Sequence, residues 1–239
     1  MASEVRIETS AVGPVLYPPG HDGTVILYLP GSQEAGTEPA LDAAVRLAEL
    51  TRSVVVWCRY RSTFPAALQD VHAGYRYCQN AGSVVVAGER MGAGLAAALL
   101  VQLRDSGTEL PRCAVLVSAL TDLTMQARSL RLHASGNATA KITELRQRVA
   151  DYAGGALLTD PYLSPLYANL HGLPPVQLLV SGTDPLLDDS LAFAARAARS
   201  GVAVDLRVWP DTSSLDAATA AAVADFIVGS QETARMVAG

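Results

Sequence analysis

Lysine is all but missing from this 239-residue chain. Lys141 is the only one, so arginine supplies nearly all of the 18 basic residues, which stand against 23 acidic ones for a net charge of −5. No basic run exists that would track a phosphate backbone, which argues against nucleic acid as a partner. Cysteine is scarce as well. Cys58, Cys78 and Cys113 form no CxxC pattern and no even set, so they read as reduced, buried thiols and not as a disulfide framework. Aromatic residues make up only 5% of the chain while 50% is hydrophobic, so a large core must be built mainly from Ala, Val and Leu. No uninterrupted apolar stretch approaches the roughly 18 residues of a membrane helix. The N-terminal "MASEVRIETS" lacks the basic-then-apolar pattern of a signal peptide. The expectation is a soluble cytoplasmic protein with no membrane partner. There is no P-loop, no dinucleotide fingerprint and no His/Cys/Asp/Glu spacing suited to a metal, so neither cofactor nor metal is expected.

What is present is an alternation of short apolar runs and amphipathic stretches. Gly13–Pro18, Thr24–Pro30, Ser53–Cys58, Ser83–Val86, Cys113–Ser118, Val176–Ser181 and Val202–Trp209 read as strands. Glu38–Leu50, Phe64–Cys78, Met91–Arg104, Leu186–Arg199 and Ala217–Val228 read as helices. Continuous apolar strands between helices imply an α/β fold with a mostly parallel sheet covered on both faces. The polar stretch Thr121–Pro165 breaks the alternation and reads as a small cap inserted into one domain spanning 1–239.

Ala87–Gly94, "AGERMGAG", follows an apolar run and opens a small-residue helix. A strand, a glycine-bracketed corner and a helix have the pattern of a nucleophile elbow. The position midway between the glycines holds Arg90. Sheets of this type bind ligands beyond the carboxyl ends of their strands, where the elbow, Pro30–Gln33 and Asp184 all fall.

Several blocks in order resemble the hormone-sensitive-lipase-like (acetyl-hydrolase) branch of the α/β-hydrolases. "RYRSTFPAALQDVHAGYRY" is similar to that family's D-Y-R…F-P-A-A-L-D-D segment. "SPLYANLHGLPPVQLLVSGTDPLLDDS" is similar to its S-P-L, L-P-P and D-P-L-x-D segments, and "VDLRVWPD" to the strand before its histidine loop. The resemblance covers nearly the whole chain from about Gly13 and implies an α/β-hydrolase fold. It also implies roles. Asp184 matches the triad acid, Arg90 stands at the serine of G-D-S-A-G, Ser214 stands at the histidine, and Pro30-Gly31-Ser32-Gln33 stands for the oxyanion loop H-G-G-G. Tyr60 and Arg61 match positions that steady the fold near that loop.

A guanidinium stays protonated and cannot serve as nucleophile, and no histidine follows His171. On these grounds the sequence is read as a pseudo-hydrolase: a non-hydrolytic cyclase, isomerase or dehydratase of natural-product biosynthesis, acting on a small organic substrate. Two alternatives stay open. One is an inactive ligand-binding or partner protein on the same fold, the other a carboxylesterase. Arg90, Asp184 and Glu89 are the expected catalytic groups, with Arg90 either an anion anchor or a structural plug. Gly31, Ser32, Gln33, Met91, Ser214 and His133 are the expected substrate contacts. A homodimer is expected as a possible assembly.

Overall fold

The β-branched runs of the sequence become the middle of one sheet. In the computed structural model, which describes residues 5–31, 41–132 and 137–238, Thr24–Leu29 (β3), Val54–Trp57 (β4), Ser83–Glu89 (β5), Cys113–Val117 (β6) and Val176–Ser181 (β7) are almost wholly buried. Val, Ile and Leu suit strands that are covered on both faces, where no polar alternation is needed. Arg6–Ser10 (β1) and Gly13–Tyr17 (β2) lie at one edge and Val204–Trp209 (β8) at the other. The eight strands run in the order β1-β2-β4-β3-β5-β6-β7-β8. β3 through β8 are parallel, while β2 pairs antiparallel with both β1 and β4.

Among the described residues, Asp42–Thr51 (α1) and Thr212–Ala238 (α7) cover one face and pack on Leu16, Ile26, Val55, Val85 and Val115. The other face carries Ala66–Gln79 (α2), Met91–Asp105 (α3) and Leu187–Arg199 (α6). α3 is almost wholly buried because Ala and Gly dominate its sequence, so its backbone lies close to the sheet. Burying Leu99, Leu100 and Leu103 on this helix stabilises the fold by about 2 kcal/mol per side chain. None of the three cysteines is in a disulfide and all are buried, and burial pushes the Cys58 thiol up to about 12.

Three features differ from the sequence reading. β1 was not anticipated, because "RIETS" is polar and mostly exposed, as an edge strand can be. β2 runs antiparallel to its neighbours, where a mostly parallel sheet is expected, and β4 lies between it and β3. α7 begins five residues earlier than expected, at Thr212, and continues to Ala238. Asp211 explains the early start, since its Oδ1 accepts the Ser214 amide at 2.8 Å in the manner of a helix N-cap.

Between β6 and β7 the chain passes through Arg128–Leu132 (α4) and Asn137–Ala153 (α5). Leu123, Met125, Leu130, Ile142, Val149 and Tyr152 from this stretch join the same core cluster as α3. The Phe64 amide donates to the Tyr152 carbonyl at 2.8 Å, fastening the end of α5 to the segment before α2. Among the described residues no helix is long and apolar enough to cross a membrane.

Candidate active site

The C-terminal ends of β3, β5, β6, β7 and β8 are neighbours in the sheet, so the residues that follow them converge. At the centre is the corner between β5 and α3. Arg90 occupies it with φ 50° and ψ −115°, outside the regions an L-residue adopts readily. The corner is held by its backbone. The Arg90 amide donates to the Val117 carbonyl at 2.9 Å, and the Arg90 carbonyl accepts from Gly94 at 3.1 Å and Leu120 at 3.2 Å. The flanking glycines are required by close approach. A Cβ on Gly92 would stand 2.1 Å from the Leu29 carbonyl oxygen, and one on Gly88 2.5 Å from that of Gly92. This is the strand–turn–helix geometry the glycine spacing predicts, with a guanidinium at its apex.

The Arg90 side chain is 54% exposed, and its Nη2 lies 3.8 Å from Asp184 Oδ2. Asp184 is 2% exposed. Its Oδ2 accepts the Ser118 hydroxyl at 2.7 Å and its Oδ1 the Leu186 amide at 2.8 Å. A buried carboxylate with these two donors has a fixed position and presents its remaining charge to the guanidinium. The first amides of α3 have no intrahelical acceptor and add the positive end of a helix dipole beside Arg90. The corner is therefore an electropositive spot anchored by one buried acid.

Gly31 lies against it. A Cβ there would meet Arg90 Cβ and the Glu89 carbonyl oxygen at 3.1 Å each, so glycine lets the loop after β3 approach the corner. The Gly31 amide donates to Glu89 Oε1 at 3.4 Å, and the Tyr60 hydroxyl donates to the Pro30 carbonyl. Arg61 forms a two-pronged pair with Asp70, which holds the Asp70 carboxyl below the usual carboxylate range through those hydrogen bonds.

The anticipated residues separate clearly. Arg90, Asp184, Glu89 and Gly31 come together, with Met91 next to Arg90 at the head of α3. Met91 borders a void of about 10 Å³ between α3, Tyr152 and Tyr162, roughly one water in size. Ser214 sits in the first turn of α7, where its amide donates to Asp211 and pulls the Asp211 carboxyl down. Ser32, Gln33 and His133 lie outside the described residues. His72 Nδ1 pairs with Gln102 at 3.0 Å, between α2 and α3. Ser118 was not anticipated. Its one sequence signal is a serine closing the apolar run "CAVLVS" on the strand next to the elbow, and it has φ 47°.

A second buried acid lies where the chain leaves β6. Asp189 Oδ2 accepts the Thr121 and Asp122 amides, each at 2.9 Å. Burial pushes its carboxyl up to about 7, outweighing the two amide bonds that act in the opposite direction. An acid whose folded value lies above its unfolded value of about 4 makes folding less favourable as pH rises from about 4 to about 7, and adds no further change above that. Thermal unfolding followed across this range should show Asp189→Asn flattening the wild-type decline, because Asn keeps an acceptor for the amides and loses the charge.

Residues 32–213 match the alpha/beta hydrolase fold family. An acetyl-hydrolase of Streptomyces hygroscopicus is 34% identical over 206 residues, covering 81% of this chain and 68% of that protein. An esterase of Acinetobacter venetianus is 32% identical over 127 residues, covering 53% of this chain and 42% of that esterase. Among solved structures, a hormone-sensitive lipase from a metagenome library superposes with a TM-score of 0.87 at 28% identity, covering 96% of this chain and 87% of that one. These relatives overturn the expectation of a pseudo-hydrolase, whether a non-hydrolytic cyclase, isomerase or dehydratase of natural-product biosynthesis or an inactive binding protein. The named relatives are an acetyl-hydrolase, an esterase and a lipase, and of the readings left open it is the carboxylesterase that they support. The physical flaw in the first reading lies in equating the missing serine with missing hydrolysis. Serine hydrolases stripped of a triad member keep about 10³–10⁴-fold catalysis over water from binding and oxyanion stabilisation.

Proposed function

This chain belongs to the α/β-hydrolase fold family, and from that membership we propose that it hydrolyses small carboxylic esters. The observation that carries the reading is the Arg90–Asp184 pair, poised at 3.8 Å on a strained corner beside the loop after β3. The ester carbonyl lies against the Arg90 guanidinium, whose N–H fork takes up the charge that develops on oxygen during attack. The attacking oxygen comes from water. Asp184 orients the guanidinium and accepts the proton that this water releases. Collapse of the tetrahedral intermediate breaks the acyl C–O bond, and the departing alkoxide recovers the proton, leaving a carboxylic acid and an alcohol. The described parts of the 121–165 stretch serve as a cap over this site. Catalysis of this kind rests on positioning and charge, so rates of about 10³–10⁴-fold over the uncatalysed reaction are expected, well short of a serine hydrolase.

The test is turnover of p-nitrophenyl butyrate, with exposure to a fluorophosphonate probe in parallel. Hydrolysis above the buffer rate without covalent labelling supports the reading. A wild-type rate equal to buffer overturns ester hydrolysis, and stoichiometric labelling of one serine overturns the water route.

A further inference from the structure

On the face of the sheet opposite α3, the ends of β3, β5 and β6 back onto a cavity of about 330 Å³ bounded by α1 and α7. The space exists because the side chains that face it are short: Ala43 from α1, Ala87 and Gly88 from β5, and Ala220 from α7. The floor is apolar, formed by buried Leu47, Val115 and Val223. A polar pair, Tyr28 and Glu89, lies within it, with Thr219 also on the wall. The Tyr28 hydroxyl stands beside the Glu89 carboxylate, and burial, then the Glu89 charge, push the phenol well above its usual range. At the mouth stand Asp42, Asp216 and Arg46, all exposed, and no ion pair joins them among the described residues. Three carboxylates, counting Glu89, thus face one guanidinium around an apolar interior.

We propose that this cavity is a binding site for a small amphiphilic amine, with its apolar body between α1 and α7 and its ammonium among Glu89, Asp42 and Asp216. The volume falls at the small end of ligand pockets, which span about 300–1,000 Å³. The apolar floor repays desolvation of a hydrocarbon or aromatic body. The carboxylate excess complements a cation and repels an anion, which gives the site its sign preference. Arg46 lies one helical turn from Asp42 on the same face of α1 and limits that preference without reversing it.

The inference does not rest on ester hydrolysis, and its test is separate. Calorimetric titration of the full chain is carried out with 4-phenylbutylamine, with 4-phenylbutan-1-ol as the neutral control and 4-phenylbutyrate as the anionic control. The amine should bind with a Kd below about 1 mM and at least about tenfold more tightly than the alcohol, a difference of about 1.4 kcal/mol, and the carboxylate should not bind. Ala220→Trp fills the space and should abolish binding of both amine and alcohol. The double variant Asp42→Asn with Asp216→Asn leaves the interior intact. It should bring the amine close to the alcohol, and it tests the charge argument even if Ala220→Trp fails to fold. Arg90→Met should bind the amine as the wild type does, so failure of the hydrolytic reading leaves this result untouched. Absence of saturable amine binding, equal affinity for all three probes, or undiminished binding by a folded Ala220→Trp protein would overturn the proposal.

Discussion

Arg90→Met lowers kcat for p-nitrophenyl butyrate by about 10²–10³-fold, the usual effect of removing one donor to a developing oxyanion. The side chain is half exposed and its backbone bonds to Val117, Gly94 and Leu120 do not depend on its identity, so the corner persists and thermal stability changes little. Methionine keeps the length and discards the charge. Arg90→Lys retains the charge but loses the planar fork, and its rate should fall between the two. Steady-state kinetics on the three proteins, with melting curves alongside, check the expectation. Equal kcat in Arg90→Met and wild type would place the carbonyl elsewhere and leave Arg90 as surface charge.

Gly92→Ala has the largest expected effect on the fold itself. The added methyl would stand 2.1 Å from the Leu29 carbonyl oxygen and 2.6 Å from that of Pro30, both backbone atoms with nowhere to retreat. β3 and β5 must then separate at the level of the site, or α3 must lift from the sheet. Overpacking in a well-filled core costs about 1–3 kcal/mol, and a clash with main chain belongs at the upper end. Denaturant melts should show the loss. The same variant should also lose most ester turnover, because the Gly31 loop and Arg90 meet at this contact. A folded Gly92→Ala protein with wild-type stability would mean that the corner is looser than its contacts indicate.

These two positions also mark how far the sequence could be read. Gly88 and Gly92 are legible as an elbow because close backbone approach admits no other residue, so the spacing carries the geometry with it. The parallel sheet was legible from its Val- and Leu-rich runs, which need no alternation when both faces are covered. β1 was not, because an exposed edge strand can be as polar as a loop. The start of α7 was obscured by an expected histidine loop, although Asp211 followed by Ser213 and Ser214 is a helix-capping signal in its own right. At the site, Arg90 and Asp184 stand out by their places in the pattern, whereas the grip of Ser118 on Asp184 depends on two strands meeting 66 residues apart in the chain. Function was the least legible part. A guanidinium at the apex excludes an acyl-enzyme through that residue, and this was taken to exclude hydrolysis, which can also proceed by polarising the carbonyl.

Glu89 has a further consequence. It is the last residue of β5, its Oε1 takes the Gly31 amide, and the same carboxylate is part of the cavity wall. A cation that draws this carboxylate toward α1 and α7 releases the Gly31 N–H as a donor for whatever lies against Arg90. Equilibrium linkage then requires reciprocity: if the amine changes ester affinity by some factor, the ester changes amine affinity by the same factor. One side chain would make the cavity and the corner at Arg90 answer to each other, with no movement of the strands.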